Sequence, residues 1–225
     1  MAAESMRDLG EGIARFMIRA VIFDFGRVIS AQKPATLFRT YEKDLGIPAG
    51  TINKLMFDSQ AWMDALVGSK TLDTYWEAIG PELGLKTKRE IDSFRRRYNA
   101  DEAINEGVLA LIQRLHARFK LAVLSNSPPG LAEWLSEWEI LDFFDVVCCS
   151  GDERVAKPDS AAFELTLKKL VVEPEEAVFI DDTYENVKAA REMGLYGILF
   201  TTAEALGEEL DEVLDGEDCI WRPKD

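Results

Sequence analysis

Ile18-Arg-Ala-Val-Ile-Phe-Asp-Phe-Gly-Arg-Val-Ile-Ser30 is the stretch from which the fold is read. It opens on an apolar run, residues 20–23, that stops at a single carboxylate, Asp24. Gly26 follows two residues later, and then a second apolar pair, Val28 and Ile29. A short apolar run bounded by glycine is the pattern of a strand buried on both faces of a parallel sheet. A carboxylate at the carboxyl end of such a strand stands where open α/β sheets bind ligands. One aspartate after one strand can equally cap a turn, so the reading depends on what the other strands end in.

Immediately downstream, residues 34–99 carry helical periodicity and no strand alternation. Leu37, Phe38, Tyr41 and Leu45 share a face, and Gly46 and Pro48 stop that helix. Ile52, Leu55 and Met56 make a second helix, and Leu72, Tyr75, Trp76 and Ile79 a third, closed by Gly80-Pro81. Thr87-Lys-Arg-Glu90 is a capping box for a helix whose apolar face is Ile91, Phe94 and Tyr98. From about residue 100 the α/β alternation returns. Strands are expected at 121–124, ending in Ser125-Asn126, at 146–149, at 177–180, ending in Asp181-Asp182, and at 197–200. Helices are expected at 108–115, 131–138, 160–170, 184–193 and 203–214. Strands alternating with helices imply parallel βαβ units. Upstream of the quoted stretch, residues 1–16 are mixed and broken by Gly10 and Gly12, and read as a peripheral extension.

The totals fit one such domain with an insert. The chain has 225 residues, 47% of them hydrophobic, enough for a real core. A net charge of -15 opposes non-specific binding to nucleic acid or anionic membrane, so neither is expected as a partner. The three cysteines, Cys148, Cys149 and Cys219, are odd in number, with two adjacent. They argue against a disulfide framework and for a reducing compartment. No run is long enough to span a bilayer as a helix, and the beginning lacks a basic-then-apolar leader. A cytoplasmic protein, monomer or homodimer, is the expectation.

In a parallel sheet the strand ends point one way, so Asp24, Ser125, Lys157 and the Asp181-Asp182 pair can meet at one mouth. Adjacent carboxylates repel, and a cation is the usual compensation. The all-oxygen set Asp24, Asp181 and Asp182 suits magnesium. Lys157 adds a fixed positive charge for an anionic group, and Ser125 a hydroxyl. A carboxylate nucleophile, a hard cation, a lysine and a hydroxyl make a phosphoryl-transfer set. Each member alone has a bland explanation; their occurrence at successive strand ends is what gives the set weight.

Those residues resemble, in order, the four motifs of the haloacid dehalogenase-like hydrolase superfamily. Val-Ile-Phe-Asp24 resembles the nucleophile motif and Val-Leu-Ser125-Asn126 the second, phosphate-binding motif. Ala-Lys157-Pro158-Asp159 resembles the third. Val-Phe-Ile-Asp181-Asp182-Thr-Tyr-Glu-Asn186 resembles the acidic metal motif. The resemblance runs from about Ile18 to about Phe200. It implies a Rossmann-like core of residues 17–33 and 100–225, with a small all-helical cap, 34–99, inserted after the first strand. It implies hydrolysis of a small phosphorylated metabolite. Asp24 attacks phosphorus; Asp24, Asp182 and the carbonyl of Gly26 bind magnesium, with Asp181 acting mainly through metal-bound water. Ser125, Asn126 and Lys157 hold the phosphate, and Asn186 supports the site.

One position departs from the phosphatase pattern. The residue two after the nucleophile is normally a second aspartate, the general acid and base, and here it is Gly26. General acid–base catalysis is typically worth about 10²–10⁴-fold, so slow chemistry is expected on poor leaving groups. The chain is similar to a branch related to sugar-phosphate phosphatases and the amino-terminal domain of soluble epoxide hydrolases, which includes members with glycine here. The alternatives are a metal-independent haloacid dehalogenase and a catalytically weakened binding module of the same fold. Asp24-Phe25-Gly26 also looks like a kinase metal motif, but no kinase phosphate loop accompanies it. His116 and Cys148-Cys149 read as structural, Arg95-Arg96-Arg97 as a solvated face, and Trp62 and Trp76 as either cap core or substrate shelf.

Overall fold

The computed structural model describes residues 17–215, so the expected extension 1–16 and Cys219 lie outside the described residues. Five strands form one parallel sheet: β1 Ala20–Phe23, β2 Lys120–Ser125, β3 Val146–Cys149, β4 Ala177–Asp181 and β5 Tyr196–Leu199, in the order β3-β2-β1-β4-β5. The quoted stretch therefore supplies the central strand. Val21 pairs with Leu121 on one side and Val178 on the other. Chain continuity runs from β1 outward in both directions, and the mouth between β2 and β4 is the crevice where such sheets bind ligands.

Alternate residues of each strand feed opposite faces. Val21, Phe23, Leu121, Val123, Val178 and Ile180 pack under α6 (Glu106–Leu115), α7 (Leu131–Glu137) and α11 (Ala203–Asp215). Ala20, Ile22, Ala122, Leu124, Ala177 and Phe179 pack under α9 (Ser160–Leu170) and α10 (Tyr184–Glu192). Coverage of both faces is why the strands read as continuous apolar runs.

Between β1 and β2 the chain is helical: α1 Ala35–Leu45, α2 Thr51–Phe57, α3 Gln60–Leu66, α4 Leu72–Ile79 and α5 Lys88–Ala100. The helices enclose an apolar cluster of their own, including Tyr41, Ile52, Tyr75, Trp76, Leu83 and Phe94. The capping box is present: Glu90 N donates to Thr87 Oγ1 (3.3 Å) while Thr87 N donates to Glu90 Oε2 (2.9 Å). Helix α3 is absent from the sequence reading, as is the short α8 (Ser150–Glu153). The four residues of α8 hold too few turns to display a period. The start of α3 is set by Ser59, whose hydroxyl accepts from Trp62 N at 3.1 Å. Two linkers join the helical insert to the sheet. They run antiparallel, with Ser30 opposite Ile104. A buried Lys33–Glu102 ion pair ties them.

Candidate active site

Asp24 follows the last residue of β1, and its backbone N–H donates to Ile180 O of β4 at 2.8 Å. The chain then turns tightly through residues 25–29, closed by Ser30 N donating to Phe25 O at 2.8 Å. Inside the turn, Gly26 has φ -66 and ψ 123, and Arg27 has φ 60, the left-handed region. Ser125 ends β2 and Asp181 ends β4, so these three buried side chains stand at adjacent strand ends.

Lys157 comes from the loop before α9 and is buried at the centre of the group. Its Nζ donates to Asp24 Oδ1 at 2.7 Å and to Asp181 Oδ2 at 2.5 Å. Asn126 holds the lysine's backbone from both ends. Its Nδ2 donates to Lys157 O at 2.7 Å, and its Oδ1 accepts from Lys157 N at 2.8 Å. The Asn126 side chain thereby positions Lys157. The second hydrogen of its Nδ2 is not used in that clasp, and Asn126 also lines the cavity described below. Asp181 is fully enclosed and also accepts from Thr183 N (2.8 Å) and Asn186 Nδ2 (3.0 Å). Asp182, less buried, accepts from Thr183 Oγ1 at 3.3 Å.

Arg27 joins this group although no sequence pattern singled it out. Its guanidinium meets Asp182 Oδ2 at 2.7 Å. The pairing depends on the left-handed turn and on a contact between chain segments far apart in sequence, and neither is written in the local pattern. His116 lies against Phe143, ring centroids 5.4 Å apart. Arg95 and Arg97 pair with Asp73 and Asp44 on the surface of the helical insert.

The donor set fits a hard divalent cation. Carboxylate oxygens of Asp24, Asp181 and Asp182 lie within 4.8 Å of one another. Oxygen-only ligands are the preference of magnesium. Three acids face two basic groups, Lys157 and Arg27, and the imbalance is visible in the titration of the group. Burial pushes the Asp24 carboxyl up to about 6, with Lys157 opposing and Asp181 adding to the rise. Burial also raises Asp182, against the pull of Arg27. Lys157 is held above the usual lysine range: burial opposes its charge, and Asp24 and Asp181 outweigh that. A third positive centre is what the carboxylates lack.

Above the cluster lies a cavity of about 780 Å³, bounded on one side by the strand ends and on the other by the helical insert. Asp24, Gly26, Ser125, Asn126, Lys157 and Asp182 line its floor, and Trp62 and Trp76 both line its upper part. Trp76 serves the insert's core as well, so core and shelf are not exclusive for it.

Comparison with known proteins agrees with this geometry. A family model described as haloacid dehalogenase-like hydrolase matches residues 5–194. The acyl-CoA dehydrogenase family member 10 of Mus musculus is 31% identical over 210 residues; the match covers 87% of this chain but 19% of that much longer protein. The sesquiterpene phosphatase astK of Aspergillus oryzae is 26% identical over 201 residues, covering 87% of this chain and 96% of that one. Among solved structures, a haloacid dehalogenase family enzyme from Bacteroides thetaiotaomicron, in complex with magnesium and inorganic phosphate, superimposes with a TM-score of 0.67. It is 21% identical, covers 82% of this chain and 95% of its own, and shows the shared fold. The chain belongs to the haloacid dehalogenase-like hydrolase family.

Proposed function

We propose that the chain is a magnesium-dependent hydrolase of phosphomonoesters, working through an aspartyl-phosphate on Asp24. The observation that carries this reading is the Lys157 ammonium bridging Asp24 and Asp181 beside a third carboxylate, at the floor of a covered cavity. The relative from Aspergillus oryzae is named a phosphatase, and the Bacteroides enzyme was crystallised with magnesium and phosphate. Both support the choice of phosphorus over carbon as the centre attacked. Asp24, Asp182 and the carbonyl of Gly26 would hold the cation. Bound there, it would supply the missing countercharge to the acids and to the phosphoryl oxygens.

The chain's own groups then divide the work. Lys157 holds Oδ1 of Asp24 and keeps a positive charge at the phosphate end of the cavity. An Asp24 oxygen forms a bond to phosphorus as the bond to the leaving oxygen breaks. The leaving alkoxide takes its proton from water, since Gly26 offers none. Water then attacks the aspartyl-phosphate, releasing inorganic phosphate and restoring the Asp24 carboxylate. Ser125 and Lys157 steady the phosphoryl oxygens through both halves. Residues 34–99 serve as the cap, shielding the reaction from bulk water and selecting the leaving group.

The test is a screen of small phosphomonoesters with and without magnesium, on the parent and on Asp24→Asn. We expect metal-dependent phosphate release and a transient phosphoryl adduct, detected by mass on the peptide containing Asp24. Asp24→Asn should lose both. Retention of parental activity by Asp24→Asn would overturn the reading, and a parent that hydrolyses no ester would leave the binding-module alternative.

A further inference from the structure

The residues that the insert gives to the cavity carry no charge. The chain as a whole is 30% charged, yet every side chain that 34–99 contributes to the lining is apolar, aromatic or an amide. Phe38, Phe57, Trp62 and Tyr75 form a chain of ring contacts there, with centroids 6.5 Å apart for Phe38–Phe57, 5.6 Å for Phe57–Trp62 and 5.7 Å for Trp62–Tyr75. The core adds Phe25 and Trp134, centroids 6.2 Å apart. The amides from the insert are Asn53 and Asn99. The Tyr75 hydroxyl is already spent, donating to Met56 O at 3.0 Å.

Among the described residues, every basic residue that lines the cavity is paired with an acid of the chain itself. Arg27 is paired with Asp182, Lys33 with Glu102, and Lys157 with Asp24 and Asp181. Lys33 is further occupied over the Tyr98 ring, 4.3 Å from its centroid. A leaving group bearing a second phosphate or a carboxylate would meet no uncommitted cation away from the floor among the described residues. A polyhydroxylated one would exchange water for aromatic faces and leave most of its hydroxyls unpaired, which is costly in a covered site. An apolar chain or ring system fits both conditions. The volume lies toward the upper end of the ~300–1,000 Å³ common for pockets that enclose a drug-sized ligand. Phe57, an aromatic ring that is 39% exposed, is the kind of surface an apolar ligand would cover.

We infer that the substrates are phosphomonoesters of bulky apolar alcohols, with the hydrocarbon held by the aromatic lining of the insert. This rests on the phosphohydrolase reading above, and the experiment separates the two. An n-alkyl phosphate series from ethyl to decyl keeps leaving-group acidity constant, so the missing proton donor at Gly26 weighs equally on every member. Burial of a methylene is worth about 0.8 kcal/mol, which at about 1.4 kcal/mol per decade is roughly fourfold per carbon. We expect kcat/KM to rise by a few-fold per added methylene until the cavity is filled. The matching n-alkyl phosphonates, which cannot be hydrolysed, should bind with the same dependence in calorimetry with magnesium present. Glycerol phosphate and hexose phosphates should gain nothing over ethyl phosphate.

Phe57→Ala and, separately, Trp62→Ala should lose more on octyl than on ethyl phosphate, flattening the slope in both assays. Phosphonate affinity that does not change with chain length would overturn the inference, whether or not any ester is hydrolysed. Affinity that rises while no ester is hydrolysed would uphold the apolar site and overturn the hydrolase reading instead. A slope unchanged in both variants would remove the aromatic lining from the explanation.

Discussion

Arg27 and Gly26 sit side by side in the turn after Asp24, and each sets a different limit on the site. Arg27 holds φ 60, a conformation that costs a non-glycine residue roughly 1–2 kcal/mol. Its reward is the contact with Asp182, one of the carboxylates that would hold the cation. Because the Arg27 side chain is 58% exposed, that ion pair is worth at most about 1 kcal/mol, up to about fivefold in an equilibrium. Arg27→Gly relieves the backbone and frees Asp182. We expect it to bind magnesium up to about fivefold more tightly by calorimetric titration; an unchanged affinity would mean that the guanidinium does not compete. Gly26 has no positive φ, and a Cβ built there would approach only Asp24 Oδ2, at 3.9 Å. The backbone therefore tolerates a side chain. Gly26→Asp restores the position of a proton-transfer group, and kcat on an alkyl phosphate should rise, with about 10²–10⁴-fold as the ceiling. On an aryl phosphate, whose leaving oxygen carries charge readily, the rise should be smaller. Equal effects on both would place the slow step elsewhere.

At the scale of elements, the insert and the core approach closely through backbone at one place. Gly68, just after α3, has φ +68, and a Cβ there would stand 2.3 Å from the carbonyl oxygen of Gly151 in α8. Gly151 in turn is closed in by Pro128 and Pro129, each of which lines the cavity. Gly68→Ala must push the two elements apart, since the atom in the way belongs to the backbone and not to the end of a flexible side chain. The variant should remain folded in both sub-structures, because each has its own apolar cluster. Under the proposed function it should lose kcat/KM on phosphomonoesters, and hydrogen exchange should quicken in α3 and α8. Parental exchange and parental selectivity together would show that this contact does not seat the cap.

At the scale of the whole molecule, the -15 net charge and the buried acids make stability depend on pH and on metal. The folded-state value of Asp24, about 6, lies above its unfolded value of 3.8. The folded form thus binds the proton more tightly between those values. The resulting contribution to stability is present in full below about 3.8 and is lost as pH rises through about 6. The difference corresponds to about 3 kcal/mol at about 1.36 kcal/mol per pH unit. In chelator, Asp24→Asn should therefore gain stability over the parent as pH rises from 4 to 7 by an amount of that order, measured by urea denaturation. Magnesium should narrow the gap by stabilising the parent in proportion to RT ln(1 + [Mg]/Kd). A gap that does not change with pH would contradict the buried, undercompensated carboxylate.

The sequence by itself determined the alternation of strands and helices, the helical character of 34–99, and the presence of Asp24, Ser125, Lys157 and Asp181 near strand ends. These are legible because burial on both faces and strand-end position leave local marks: apolar runs of four or five residues that stop at a polar one. The capping box at Thr87 and Glu90 is legible for the same reason, since donor and acceptor lie three residues apart. Tertiary structure alone decided the rest. That Lys157 bridges Asp24 and Asp181, that Asn126 clasps the lysine's backbone, and that Arg27 reaches Asp182 are facts of approach between residues that lie 133 and 24, 31, and 155 positions apart, respectively. The uncharged lining of the cavity was hidden as well. Its rings recur at the same helical spacing as the insert's own core, and only the packing of five helices separates the faces that meet each other from the face turned to the substrate.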